Sequence, residues 1–101
     1  MQYYNDFFGA YGGRYVAEIL RAPLDELEAA YKQALESEAF QIDFKQQLRE
    51  YAGRPTPLMF AQRATDALGG ASIYVKLEGL ANTGAHKVNN VVGQALLAKS
   101  M

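Results

Sequence analysis

The chain has 101 residues, half of them hydrophobic, with ten basic and eleven acidic side chains, one histidine, no cysteine and a formal net charge of -1. That is the size of one soluble domain, and its scattered charges offer neither a basic stripe for nucleic acid nor an acidic disordered tail. Missing cysteines exclude disulfides, thiolate nucleophiles and cysteine-based zinc sites, and the lone His86 cannot by itself build a histidine-rich metal centre, so no metal site is expected.

No apolar run approaches the roughly 18 residues that span a bilayer. Met1-Gln2-Tyr3-Tyr4-Asn5-Asp6 lacks the basic-then-apolar order of a signal peptide, so the reading is of a soluble chain, unprocessed at that end and at home in reducing cytoplasm. Residues 7–15, Phe-Phe-Gly-Ala-Tyr-Gly-Gly-Arg-Tyr, interleave aromatics with too many glycines for a helix and predict an irregular, partly buried arm. A short helical stretch over residues 16–21 follows, and Pro23 marks a new start, since proline is accepted in a first turn. Leu24, Leu27, Tyr31 and Leu35 then recur at helical spacing, with Asp25, Glu26 and Glu28 near the start, where the helix dipole favours anions; this predicts a helix over about 24–36.

A second amphipathic segment sets Phe40, Phe44, Leu48 and Tyr51 against Lys45, Gln46, Arg49 and Glu50, with Gly53 as its stop, and the two helices are expected to form an antiparallel pair. Arg54-Pro55-Thr56-Pro57 forces extended backbone and is the clearest boundary in the chain. Residues 61–68 read as a short helix ending at Gly69-Gly70. Ile73, Val75 and Leu77 alternate with Tyr74, Lys76 and Glu78 as in a strand, which leaves Glu78 as a loop or surface carboxylate. A glycine-bounded loop over 79–84 leads to a last helix whose apolar face holds Val88, Val91, Val92, Ala95 and Leu96. The order suggests a mixed α/β architecture, helix-rich with about two strands, and such a unit wants further parallel strands beside it. That shortage implies that something follows Met101 in the native gene.

The stretch that carries chemistry is Asn82-Thr83-Gly84-Ala85-His86-Lys87-Val88-Asn89-Asn90, a loop running into a helix N-terminus. At about 100° per residue, His86, Lys87, Asn90 and Gln94 share one arc, away from the valines and alanine. First-turn amides and the helix dipole form a cradle for phosphate or carboxylate, with Thr83 as a candidate cap. The same positive end disfavours an ammonium at Lys87, and burial would add to this, leaving the neutral amine that condenses with a carbonyl such as that of pyridoxal phosphate. The plain alternative is a solvated surface lysine beside a capping or surface histidine.

Thr83-Gly84-Ala85-His86-Lys87-Val88-Asn89-Asn90, continued by Gly93-Gln94-Ala95-Leu96-Leu97-Ala98-Lys99, resembles the cofactor-lysine segment of the tryptophan synthase β-chain family, which has a fold-type II pyridoxal-phosphate fold. Phe8-Gly9-Ala10-Tyr11-Gly12-Gly13-Arg14-Tyr15-Val16 is similar to that family's N-terminal arm, and Tyr51-Ala52-Gly53-Arg54-Pro55-Thr56-Pro57-Leu58 to its entry into the first sheet. The resemblance runs through the chain in register. At Lys76-Leu77-Glu78-Gly79 the sequence departs from it, many members having a basic residue in place of Leu77 and an acidic one in place of Gly79.

The resemblance implies that Lys87 forms the Schiff base with pyridoxal 5'-phosphate and moves protons at the substrate Cα. It implies that His86 contacts the cofactor phosphate, with the helix amides around Asn89 and Asn90 in the same segment. The implied activity is that of a lyase of tryptophan biosynthesis, making L-tryptophan from L-serine and indole by β-replacement, as a β–β homodimer bound to an α chain. It further implies an N-terminal arm and helical pair over 1–52, and the start of the cofactor-binding α/β core over 53–101, incomplete at its C-terminal end. Family members are several times longer, so the 101 residues alone are expected to be inactive. Two alternatives stay open: a related pyridoxal-phosphate enzyme of β-replacement or β-elimination, and a short non-catalytic interaction module.

Overall fold

The computed structural model of the chain describes residues 6–101; the reading of a missing signal peptide rests on residues 1–5 and lies outside them. The arm is not irregular: β1 (Phe7–Phe8) and β2 (Tyr11–Gly12) pair as a small antiparallel hairpin with Phe7 opposite Gly12 and Phe8 opposite Tyr11. Gly12 makes the closure possible. Its φ is +113°, and a Cβ there would stand 2.7 Å from the Asp6 carbonyl oxygen. Its burial lies at Arg14 and not at its aromatics, since the Arg14 side chain is 15% exposed while Tyr11 is 81% and Tyr15 92% exposed.

The expected short helix shrinks to a 3-10 turn, Glu18–Leu20, that runs straight into α1 (Arg21–Glu36). Pro23 is therefore the third residue of α1, still inside the turn whose amides have no helical acceptor. The early start leaves no acid in the first turn. Asp25 and Glu28 bind Arg14 instead of serving the helix dipole.

Ser37 alone separates α1 from α2 (Glu38–Glu50). Its N–H closes α1 on the carbonyls of Gln33 and Ala34, its backbone turns extended, and its hydroxyl accepts from Phe40 N at 3.2 Å to cap α2. One residue thus stops one helix and starts the next, so α1 and α2 pack against each other, as α2 and α1 each pack against α4 (Lys87–Ser100). At the far end of α2, Gly53 takes φ +80°, and the amides of Ala52 and Arg54 return to the carbonyls of Gln47 and Leu48.

Beyond a cis Arg54–Pro55 bond come β3 (Leu58–Phe60), α3 (Gln62–Leu68) closed by Gly69 in the left-handed region, and β4 (Tyr74–Lys76). β3 and β4 are antiparallel, with Met59 opposite Val75, and the pairing extends through Ala61 N to Ile73 O and Leu77 N to Pro57 O. The two-turn α3 and the glycines after it turn the chain back on itself, so this strand–helix–strand unit is not a parallel crossover. Among the described residues the architecture is helix-rich with two small two-stranded sheets, four strands where about two were expected.

The buried core is small. Ala52, Ala81, Val88 and Val92 form it, with Phe44, Leu48 and Leu96 packed on it. The 88/92/96 stripe of α4 packs on the core and Gly93 lies against Phe44, whereas Val91 and Ala95, expected on the apolar face with them, are exposed.

The radius of gyration is 19.1 Å, against about 13 Å for a compact chain of this length. The accessible surface is 7949 Å², where about 5,700 Å² is typical of a folded monomer of this mass. Among the described residues, no helix is long and apolar enough to cross a membrane.

An elongated chain with uncovered strand edges and apolar side chains in water associates. The purified 101-residue chain is expected to bind an apolar dye under native conditions, to sediment above monomer mass and to melt broadly. A monodisperse monomer with a sharp cooperative melt would contradict this.

Candidate functional site

The start of α4 is held where three segments converge. Ala52, just past α2, sends its carbonyl to Asn82 N at 3.1 Å and buries its methyl against Ala81 and Val88. Small side chains are what let the 52, 81 and 88 positions meet at this distance. From β4 the chain descends through two 3-10 turns, Glu78–Leu80 and Asn82–Gly84, before α4 begins after His86, whose side chain makes no capping hydrogen bond. Thr83 does not cap the helix; it sits at φ +72° and ψ 0°, a rare conformation for a β-branched residue, followed by Gly84 at +76°.

Beside this junction lies a polar cluster centred on Arg54. Its Nη1 donates to both Glu78 carboxylate oxygens at 2.7 and 2.5 Å, and its Nε donates to Asn89 Oδ1 at 2.9 Å. The buried Thr56 hydroxyl donates to Glu78 Oε1 at 2.6 Å, and Lys76 Nζ donates to the Thr56 carbonyl. Arg54 Nη2 is buried without a hydrogen-bond partner among the described residues. The Arg54 guanidinium, then the Thr56 hydroxyl, hold the Glu78 carboxyl below its ordinary value of 4.5. Glu78 is thus no isolated surface carboxylate: it joins the end of the second sheet to the segment after α2 and, through Arg54, to α4.

The sequence-predicted residues fall within one turn of this cluster but on different sides of the helix. Lys87, the first residue of α4, is exposed, and no hydrogen bond or ion pair joins its side chain to another described residue. His86 is exposed, and its carbonyl accepts from Asn89 N at 3.2 Å. Asn89 turns its side chain to Arg54. Asn90 and Gln94 line a groove on the side of α4 that faces α1, whereas His86 and Lys87 do not, so the predicted polar arc is solvent-facing but divided.

The arrangement offers an uncommitted primary amine and an imidazole at a helix N-terminus, the donor set suited to a carbonyl compound that also carries an anionic group. Sequence reasoning missed Arg54, Thr56 and Glu78 as a connected set. The signal was there: an arginine directly before a rigid Pro-Thr-Pro and a glutamate at the strand exit, read only as boundary and loop.

No family model matches the chain. Over 94 residues, 93% of its length, the chain is 51% identical to the tryptophan synthase beta chain of Bacillus subtilis (strain 168), of which it covers 24%. It therefore spans about a quarter of the length of that relative.

Because Glu78 has a depressed folded value, its link to Arg54 contributes stability above the unfolded glutamate range of about 4.3 and loses it as pH falls through the folded value. Carboxyl carbon NMR is expected to give a Glu78 midpoint below that range, moving up toward it in Arg54→Met. An unchanged midpoint in the variant would contradict the assignment.

Proposed function

Since this chain is, in sequence, a relative of the N-terminal part of tryptophan synthase β chains, we propose that it is the segment of such an enzyme that carries the cofactor-anchoring lysine, Lys87. The observation that carries the reading is the 51% identity sustained over 94 residues, with the Thr83–Asn90 motif standing at the start of α4. In this reading the whole protein is a pyridoxal-phosphate-dependent lyase of tryptophan biosynthesis in the cytoplasm. It uses L-serine and indole, pairs as a β–β homodimer and binds an α chain. Residues 1–52 are its arm and helical pair, and 53–101 begin the cofactor-binding core.

The residues present fit one end of pyridoxal phosphate. Lys87 offers the amine and His86, with the first-turn amides near Asn89 and Asn90, the anion-binding end. When bound, the group supplies an aldehyde for the lysine and an electron sink for charge left at a substrate Cα. With its amine free, Lys87 would be the base that takes and returns the proton at Cα. His86 and the positive end of α4 orient the phosphate. Asn89, tied to Arg54, fixes the first turn of α4 and hence the point from which the Lys87 side chain extends. One lysine and one anion cradle do not preorganise a transition state, so the 101 residues by themselves do not turn over substrate.

In the full-length protein, borohydride reduction is expected to leave the pyridoxyl group on Lys87, and Lys87→Ala to abolish the visible absorption of the lysine-bound cofactor. A label on another lysine, or a retained band in the variant, would remove Lys87 from the role. The 101-residue chain is expected to show no serine-dependent consumption of indole, and detectable consumption would contradict the division of labour.

A further inference from the structure

The aromatic arm is held in place by charge. A hairpin of two-residue strands is marginal by itself, and its large side chains do not anchor it, since Phe7 and Phe8 are each 47% exposed and Tyr11 and Tyr15 more so. The buried part of the arm is Arg14, whose side chain is only 15% exposed. Its Nη1 meets Asp25 Oδ1 at 2.5 Å, and its Nη2 meets Glu28 Oε2 and Asp6 Oδ1, each at 2.7 Å. Asp25 and Glu28 stand one turn apart on α1, a spacing that suits the planar fork of a guanidinium. Glu28 is held in turn by Lys32 at 2.6 Å. Lys32, then Arg14, keep the Glu28 carboxyl below its ordinary value.

The fastened arm forms one wall of a groove of about 1110 Å³. Phe8 and Val16 line it from the arm, Leu27 and Tyr31 from α1, Phe44 from α2 and Leu97 from α4.

We propose that Arg14 is an electrostatic clasp: by bridging Asp6 of the arm to Asp25 and Glu28 of α1, it fastens the arm as a strap along the groove, and its release opens that wall. The charges make the clasp two-sided. With Arg14 in place, one cation gathers three carboxylates. Without it, Asp6 faces Asp25 and Glu28 across the same gap, and attraction becomes repulsion that drives the arm off α1. Lysine in its place supplies one point charge where the geometry uses two nitrogens, so it restores the clasp only in part. Added salt screens these partly exposed charges and loosens the strap.

Limited chymotrypsin digestion of the full-length protein, with cut sites assigned by mass, tests this, because none of the substitutions adds or removes a chymotryptic site. In Arg14→Ala, initial cleavage within residues 7–15 is expected to rise about tenfold, with Arg14→Lys intermediate and cleavage after Phe60 and Tyr74 unchanged. Raising salt speeds arm cleavage in the wild type and not in Arg14→Ala. The double variant Asp25→Asn, Glu28→Gln leaves the arm sequence untouched, so it reads the clasp even if Arg14→Ala fails to fold, and it is expected to speed arm cleavage likewise. Arm cleavage at the wild-type rate in either variant would overturn the proposal. So would an equal rise after Phe60 and Tyr74, which marks general loosening.

Discussion

The Arg54 guanidinium, shared between Glu78 and Asn89, is the contact on which the arrangement of the second half of the chain depends. It stands directly after the left-handed Gly53 that ends α2 and directly before Pro55, so its backbone is fixed on both sides before its side chain reaches anything. From there it ties together two pieces distant in sequence, the exit of β4 at Glu78 and the first turn of α4 at Asn89, while Thr56 beside it donates to the same carboxylate. A neutral residue could not replace it, because Glu78 would then keep its charge with the Thr56 hydroxyl and the more distant Lys76 ammonium left to face it. Charge-assisted pairs with two or three good hydrogen bonds each are the strong members of their class.

This weight on polar ties follows from how little apolar surface is buried. Four residues form the core between α2 and α4, and the largest fully buried side chain is Val88. Such a core orders its neighbours by close approach of small groups but is too small to place the arm or the second sheet. Arg14 fastens the arm to α1 and Arg54 fastens the sheet to α4, the first setting its planar fork against carboxylates of both segments, the second against the Glu78 carboxylate and the Asn89 amide oxygen. The chain is thus assembled from small apolar contacts inside and two arginine nodes nearer the surface. The same economy leaves Lys87 and His86 exposed at the start of α4.

How far the sequence spoke for itself differs by element. The α1 and α3 helices and β4 were legible because their signals are local: heptad-like leucines with Pro23 in the first turn, the Gly69-Gly70 stop, the alternation from Ile73 to Leu77. The hairpin in the arm was not, because two-residue strands carry no period and depend on positive φ at Gly9 and Gly12. The antiparallel pairing of β3 with β4 depends on the length of the connection, which composition does not encode. The stretch from Thr83 to Asn90 stands out in the sequence, but the division of its polar arc does not, since a helical wheel has no knowledge of the groove that Asn90 and Gln94 border and His86 and Lys87 do not. Nor could a wheel tell that Val91 and Ala95 would be exposed.

The central claim is that the Arg54 node holds the start of α4 on the Ala52–Ala81–Val88 core. Amide hydrogen exchange at Asn82, whose N–H donates to the Ala52 carbonyl at 3.1 Å, reads that junction directly. In Arg54→Ala the account predicts that Asn82 and the first turn of α4 lose protection while the middle of α1 keeps it. Wild-type protection at Asn82 in that variant would show that the core seats α4 unaided and would contradict the account.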